Sequence, residues 1–244
     1  MCRDCGCSLG PSAARAPFAP PPAASKHAHV HVESVEVITR ILDANDRVAA
    51  HNREHFDDHR VLAINLMSSP GSGKTALLEA TIKALAGELK VAVIEGDLAT
   101  ENDAARIRAC GVPAVQIQTG NACHLDAQMV HDALDELPLA GLDVLFVENV
   151  GNLVCPASFD LGVHRNVTLL SVTEGDDKPA KYPVMFRGAD LTLITKVYLL
   201  PHLEEFSVDR ARDSLRQVGF NGQVLEVTKR GGAGLEGWLG WLRD

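Results

Sequence analysis

Residues 61–81 read VLAINLMSSPGSGKTALLEAT, and the order of residue types within that stretch decides the architecture. An apolar run ends near Met67, a loop of Ser, Pro and Gly follows, and Gly73-Lys74-Thr75 opens a stretch with helical spacing. Strand, phosphate loop, helix is the order that phosphate binding demands. Gly71 and Gly73, with Pro70 and Ser72 beside them, let backbone N–H groups turn inward, and the helix start adds its positive dipole. Lys74 is placed to reach β- and γ-phosphates, and the Thr75 hydroxyl to ligate Mg(II). The general pattern G-x-x-x-x-G-K-[ST] has Ser68 where its first Gly stands.

Outward from the loop, short continuous apolar runs fall at 61–66, 91–95, 114–118, 144–148, 167–172, 191–195 and 224–227. Continuous rather than alternating runs mark strands buried on both faces. Amphipathic stretches such as 75–88 and 208–218 lie between them, which predicts an α/β fold with a doubly wound, mostly parallel sheet. Val35, Ile38, Ile41, Leu42 and Val48 recur at helical spacing and predict a helix over 33–59. Ahead of it come a Cys-rich head, 1–7, and an Ala/Pro-rich, His-containing linker, 8–32, that reads as a flexible arm; 33–244 reads as the globular domain.

Composition removes several classes of function. The 244 residues carry 32 acids against 23 Lys and Arg, a net charge of −9, which argues against nucleic acid or an anionic membrane as partner. Aromatics at 5% leave little for base stacking, while 46% hydrophobic residues suffice for a large core. No apolar run reaches the ~18–20 residues of a membrane helix. Pro17, Pro20, Pro21 and Pro22 break the only N-terminal stretch resembling a signal peptide. A cytoplasmic chain with reduced thiols is the expectation.

A nucleotide site also needs carboxylates at strand ends. Asp97 closes VAVIEGD and Glu148 closes LDVLFVE; both are placed to hold Mg(II) or position water, and Gly151 to bring a backbone N–H to the γ-phosphate. With Lys74 they form the expected catalytic set. Cys2, Cys5 and Cys7 offer three thiolates within six residues, enough to converge on one soft or borderline metal, with the α-amine able to complete a planar Ni(II) site. Cys123, His124 and Cys155 offer a second set, suited to Ni(II) or Zn(II) and one ligand short; water or a group across a homodimer would complete it. His27, His29 and His31 alternate in the arm as weak auxiliary ligands or as a solvated tail. His51, His55 and His59 share one helical face at i, i+4 and i+8; two could chelate a metal, and an exposed polar stripe is the simpler reading. His131 carries no signal.

The segments MCRDCGC, ILDANDRVAAHNREHF, NLMSSPGSGKTALLE, EGDLATENDAARI, TGNACHLDAQMV, ENVGNLVCPASFDLG and VTEGDDKPAKYPVMFRGAD together resemble the HypB family, the nickel-incorporation GTPases of hydrogenase maturation, related to the urease accessory GTPase. The resemblance implies a SIMIBI-type P-loop GTPase that dimerises with GTP. It also implies Ni(II) passed to a hydrogenase large-subunit precursor with a HypA-type nickel/zinc accessory protein. It makes Cys2, Cys5 and Cys7 the high-affinity nickel site and Cys123, His124 and Cys155 the low-affinity metal site, and Ser68 is the form the family uses. One motif departs: the family's N-K-x-D is Thr195-Lys196-Val197-Tyr198 here. Lys196 can lay its stem along a base, whereas Tyr198 cannot accept two hydrogen bonds as a carboxylate does. The expected consequence is a weakened preference for GTP over ATP. A nickel carrier or store with a decayed base pocket, or an accessory GTPase for urease, are the competing readings.

Overall fold

The computed structural model describes residues 27–97, 102–120, 122–228 and 233–243. The Cys-rich head with Cys2, Cys5 and Cys7, and residues 8–26, lie outside the described residues. Residues 1–39 and 40–244 divide into two compact units. The described part of the first is helical, and the sheet with its surrounding helices belongs to the second.

Seven strands form one sheet: β1 Leu62–Ser68, β2 Val91–Asp97, β3 Ala114–Gln118, β4 Val144–Glu148, β5 Arg165–Ser171, β6 Leu191–Thr195 and β7 Gln223–Val227. Their order is β3-β2-β4-β1-β5-β6-β7, and every pairing is parallel. Parallel strands need crossovers, so helices cover both faces and the central strands β1, β2, β4 and β6 are almost wholly buried. Alternation along the strands sends Ile64, Leu66, Val93, Phe146 and Leu169 to one face, under α2 Lys74–Ala84 and α8 Ala233–Arg243. Trp238 of α8 is wholly buried there and its indole N–H donates to Thr81 Oγ1 at 2.8 Å. The opposite residues, Ala63, Ile94, Leu145 and Val147, pack beneath α1 His27–His59 and α4 Ala127–Leu134. Farther along that face Leu170 and Ile194 meet α6 Pro183–Arg187 and α7 Val208–Gln217. Burying each such aliphatic side chain contributes roughly 1.5–3 kcal/mol, which is why the apolar runs alone sufficed to locate the strands.

One expectation about the first helix needs correction. It begins at His27, so residues 27–32 are helical rather than part of the linker. The buried positions of its described side chains are not those of the apolar period. Asn45, Ala49, Asn52 and Phe56 are the buried positions, while Ile41 is 52% exposed. The two asparagines can be buried because each finds backbone partners. Asn45 donates to Asp160 O at 2.8 Å and accepts from Ala127 N at 2.9 Å; Asn52 donates to Ala127 O at 2.8 Å and Leu161 O at 3.2 Å. Buried amides with all their bonds made cost little, and these pin α1 to the start of α4.

Candidate nucleotide and metal site

The C-terminal ends of the parallel strands gather the site, as the switch between sheet halves requires. β1 ends at Ser68, and the loop 69–73 turns into α2 through Gly73, whose φ of +100° lies where only glycine is unstrained. Ser68 takes the place of a glycine for a reason the structure supplies. Its hydroxyl accepts from Lys74 Nζ at 3.1 Å and donates to Ser69 O at 2.7 Å, holding the lysine over the loop. Thr75 Oγ1 donates to Glu148 Oε1 at 3.0 Å, and Lys74 Nζ lies 4.0 Å from the same oxygen. Lys74, Thr75 and Glu148, expected together from sequence, are therefore brought together.

Parallel pairing aligns Glu95 of β2 with Glu148 of β4, so the two carboxyl groups meet. Glu95 is 1% exposed and its pKa is pushed up to about 11, by burial first and then by the Glu148 carboxylate beside it. Burial likewise raises Glu148, opposed by Lys74. Glu95 Oε1 and Glu148 Oε2 are buried without a hydrogen-bond partner among the described residues. Two orphaned carboxylate oxygens beside a threonine hydroxyl and a phosphate loop fit a hard divalent cation such as Mg(II). Asp97, two residues after Glu95 and on the same face of β2, lines the same cavity of about 380 Å³ with Pro70, Gly71, Lys74, Thr75 and Gly151. Arg106 also lines it, but its guanidinium is held as a fork by Glu79 at 3.0 Å, so it does not point a free charge at the phosphates.

A second cavity, of about 230 Å³, adjoins across the loop, lined by Gly71, Gly73, Ala76, Thr195, Lys196, Tyr198 and Val227. Lys196 stands in the left-handed region with φ of +59° and donates through Nζ to Gly71 O at 2.7 Å. Thr195 Oγ1 donates to Ser72 O at 2.8 Å, so the end of β6 is stitched to the phosphate loop. Tyr198 lies on the wall of this cavity, at the position of the departing Thr195–Tyr198 motif. On the other flank Ser72 Oγ donates to Glu174 Oε1 at 2.5 Å.

The thiols also converge. Cys123 Sγ lies 2.8 Å from Cys155 Sγ and 3.8 Å from His124 Nδ1, and the three ligand atoms fall within 4.8 Å of one another. The His124 ring stacks on Phe159 at 3.9 Å, and partial burial lowers its pKa, which keeps the imidazole neutral and able to ligate. Cys155 is raised by the contact with Cys123, so a metal binding there must displace protons. Asn152 ties the pair together, donating to Cys123 O at 3.3 Å and accepting from Val154 N at 2.8 Å. Between the two sites runs the segment 148–155. Gly151 packs so closely on the phosphate loop that a Cβ there would meet Pro70 Cα at 2.9 Å.

Glu95, Glu174 and Asn152, with Asn149, whose Oδ1 accepts from Leu125 N at 3.2 Å and Val150 N at 3.0 Å, are marked by no motif in the sequence. For Glu95 a signal existed, an acid inside an otherwise apolar strand; the other three depend on loops whose approach no spacing encodes. Cys110 follows α3 Asn102–Arg108 and is partly buried, packed against the core.

The "CobW/HypB/UreG, nucleotide-binding domain" family model matches residues 62–225. The chain belongs to this family. It is 52% identical over 208 residues to "Hydrogenase maturation factor HypB" of Escherichia coli strain K12, spanning 85% of this chain and 71% of that protein. Among solved structures it is similar to HypB from Helicobacter pylori in complex with nickel, at TM-score 0.79 and 41% identity, covering 82% of this chain and 94% of that one. HypB from Archaeoglobus fulgidus matches at TM-score 0.77 and 39% identity, over 83% of this chain and 98% of that one. The doubly wound sheet with its phosphate loop is thus the family's P-loop NTPase fold, with the strands all parallel. No helix among the described residues is long and apolar enough to cross a membrane.

Proposed function

We propose that this chain is a nickel-handling GTPase of the cytoplasm, in which the nucleotide state sets metal affinity at Cys123, His124 and Cys155. What carries the reading is the short path between sites. Gly151 touches Pro70 of the phosphate loop, Asn152 bonds the Cys123 carbonyl, and Cys155 meets Cys123 through its sulfur. A γ-phosphate competing for space and N–H groups at Gly151 would shift both thiols, and linkage makes metal act back on nucleotide equally. Lys74 stabilises charge on the transferring phosphoryl group, Thr75 with Glu148 and Asp97 holds Mg(II), and Glu95 sets the protonation of Glu148. Mg(II), when bound, neutralises charge on the β- and γ-phosphate oxygens. With Arg106 held by Glu79, no arginine among the described residues of the cavity is poised as a finger, which favours slow hydrolysis.

Nickel as cargo is supported by the nickel complex of the Helicobacter pylori relative, and a hydrogenase large-subunit precursor as acceptor by the name of the Escherichia coli one. The two thiols and one imidazole leave a fourth position, which fits a GTP-dependent homodimer or exchange with a HypA-type partner; Zn(II) suits the same donors. Cys2, Cys5 and Cys7 serve as the tighter nickel site. The test is Ni(II) titration of a chain with those three Cys changed to Ser, with GDP and with a non-hydrolysable GTP analogue. We expect at least a fivefold difference in affinity, about 1 kcal/mol of coupling. Lys74→Ala should abolish both that difference and phosphate release. Equal phosphate release before and after the change would instead favour a nickel carrier with a decayed nucleotide pocket.

A further inference from the structure

Away from the thiols and the groove, α1 and α4 bring three imidazoles together. His51 and His55 stand one turn apart on α1, with their Nε2 atoms 3.2 Å from each other. His131 of α4 faces both, its ring centroid 5.2 Å from His51 and 5.7 Å from His55. One ring nitrogen from each lies within 4.8 Å of the others.

The tautomer of His131 is fixed by what lies behind its ring. Asn52 is fully buried and spends both amide hydrogens, on Ala127 O and Leu161 O. Turning the amide over would set its oxygen against two carbonyls, so Oδ1 is the atom facing His131 Nδ1 at 3.1 Å. That oxygen only accepts, and His131 must carry its proton on Nδ1. Its Nε2 lone pair is left for the cluster. His51 Nδ1 faces the Glu54 carboxylate at 3.5 Å, and its Nε2 shares a proton with His55 Nε2 at 3.2 Å, which a metal ion would displace. A backbone-anchored amide and a carboxylate behind ligating imidazoles are the outer shell that orients histidines for a metal. Nitrogens bound at 2.0–2.1 Å in a tetrahedron stand about 3.3 Å apart, close to the His51–His55 spacing. His51 is exposed and the other two half-buried, so an ion can enter.

We propose that His51, His55 and His131 form a separate site for one divalent transition-metal ion of the nickel–copper–zinc group, with an open fourth position for water or an exchanging ligand. Imidazole nitrogens alone hold it, so it exchanges metal without the thiolate deprotonation that Cys123 and Cys155 require. His59 stays outside, bonded through Nδ1 to His55 O at 2.9 Å. The site does not depend on the reading of nucleotide-coupled nickel transfer.

The experiment is acylation of the full-length chain by diethyl pyrocarbonate, read residue by residue by mass spectrometry, without metal and with Zn(II) in slight excess over all candidate sites. Acylation of His51, His55 and His131 should slow together by at least tenfold with Zn(II). In His131→Gln, whose amide can still donate to Asn52, His51 and His55 should return to the metal-free rate. Protection of His51 and His55 surviving in that variant would overturn the three-ligand site, as would no protection in the parent. Should His131→Gln fail to fold, His51→Gln at an exposed position makes the same reading on His55 and His131.

Discussion

Replacing Glu95 by Gln tests the buried carboxyl pair most directly. Glu95 is protonated in the fold, with a pKa of about 11 against an ordinary 4.5. Above pH 4.5 the unfolded chain releases that proton and the folded chain keeps it, so folding must take a proton up. Stability contributed by this group is therefore complete only below about pH 4.5 and declines as pH rises toward the folded value. A full proton taken up on folding costs about 1.4 kcal/mol per pH unit, so pH 6 to pH 8 costs roughly 3 kcal/mol from the buried pair. Gln keeps the shape and a donor toward Glu148 without the proton. The assay is urea unfolding of nucleotide-free protein in chelator at pH 6, 7 and 8. Groups remote from the site are common to both proteins, so the difference between them reads the coupled Glu95–Glu148 pair. Glu95→Gln should gain on the parent by about 2–3 kcal/mol across that range. Parallel pH profiles for the two proteins would refute a proton held between Glu95 and Glu148.

Gly151→Ala places a Cβ 2.9 Å from Pro70 Cα, with the Pro70 backbone nitrogen at 3.0 Å, so one loop must move by about half an ångström. Since a displacement of about 1 Å at a reacting centre costs on the order of 10²-fold, phosphate release should fall about tenfold. The response of metal affinity to nucleotide should shrink with it; unchanged turnover and coupling would remove Gly151 from the switch. Tyr198 in the base cavity predicts a modest GTP over ATP preference in calorimetric titration, and a preference above a thousandfold would contradict it. Deleting residues 1–7 should remove the most tightly held Ni(II) by metal analysis, and full retention would sink the head site. Cys155→Ser should leave that tight ion in place and weaken the second by at least tenfold, read by competition with a chromophoric chelator.

The strand positions and the phosphate loop were legible in the chain itself because both are local. A strand buried on two faces must be apolar throughout, and a loop that wraps phosphate must carry glycine ahead of Lys74 and Thr75. The partnership of Glu95 with Glu148 was not legible. It arises from the register between β2 and β4, strands separated by more than fifty positions in the chain and joined only by sheet hydrogen bonds. The buried side of α1 was not legible for a related reason: Asn45 and Asn52 look like solvent residues until the carbonyls of Ala127, Asp160 and Leu161 are brought to them. The same packing decides the chemistry of the histidines. Spacing alone put His51, His55 and His59 in a row along one helix. Only the docking of α4 replaces His59 with His131 and, through the amide behind it, chooses which nitrogen keeps its lone pair.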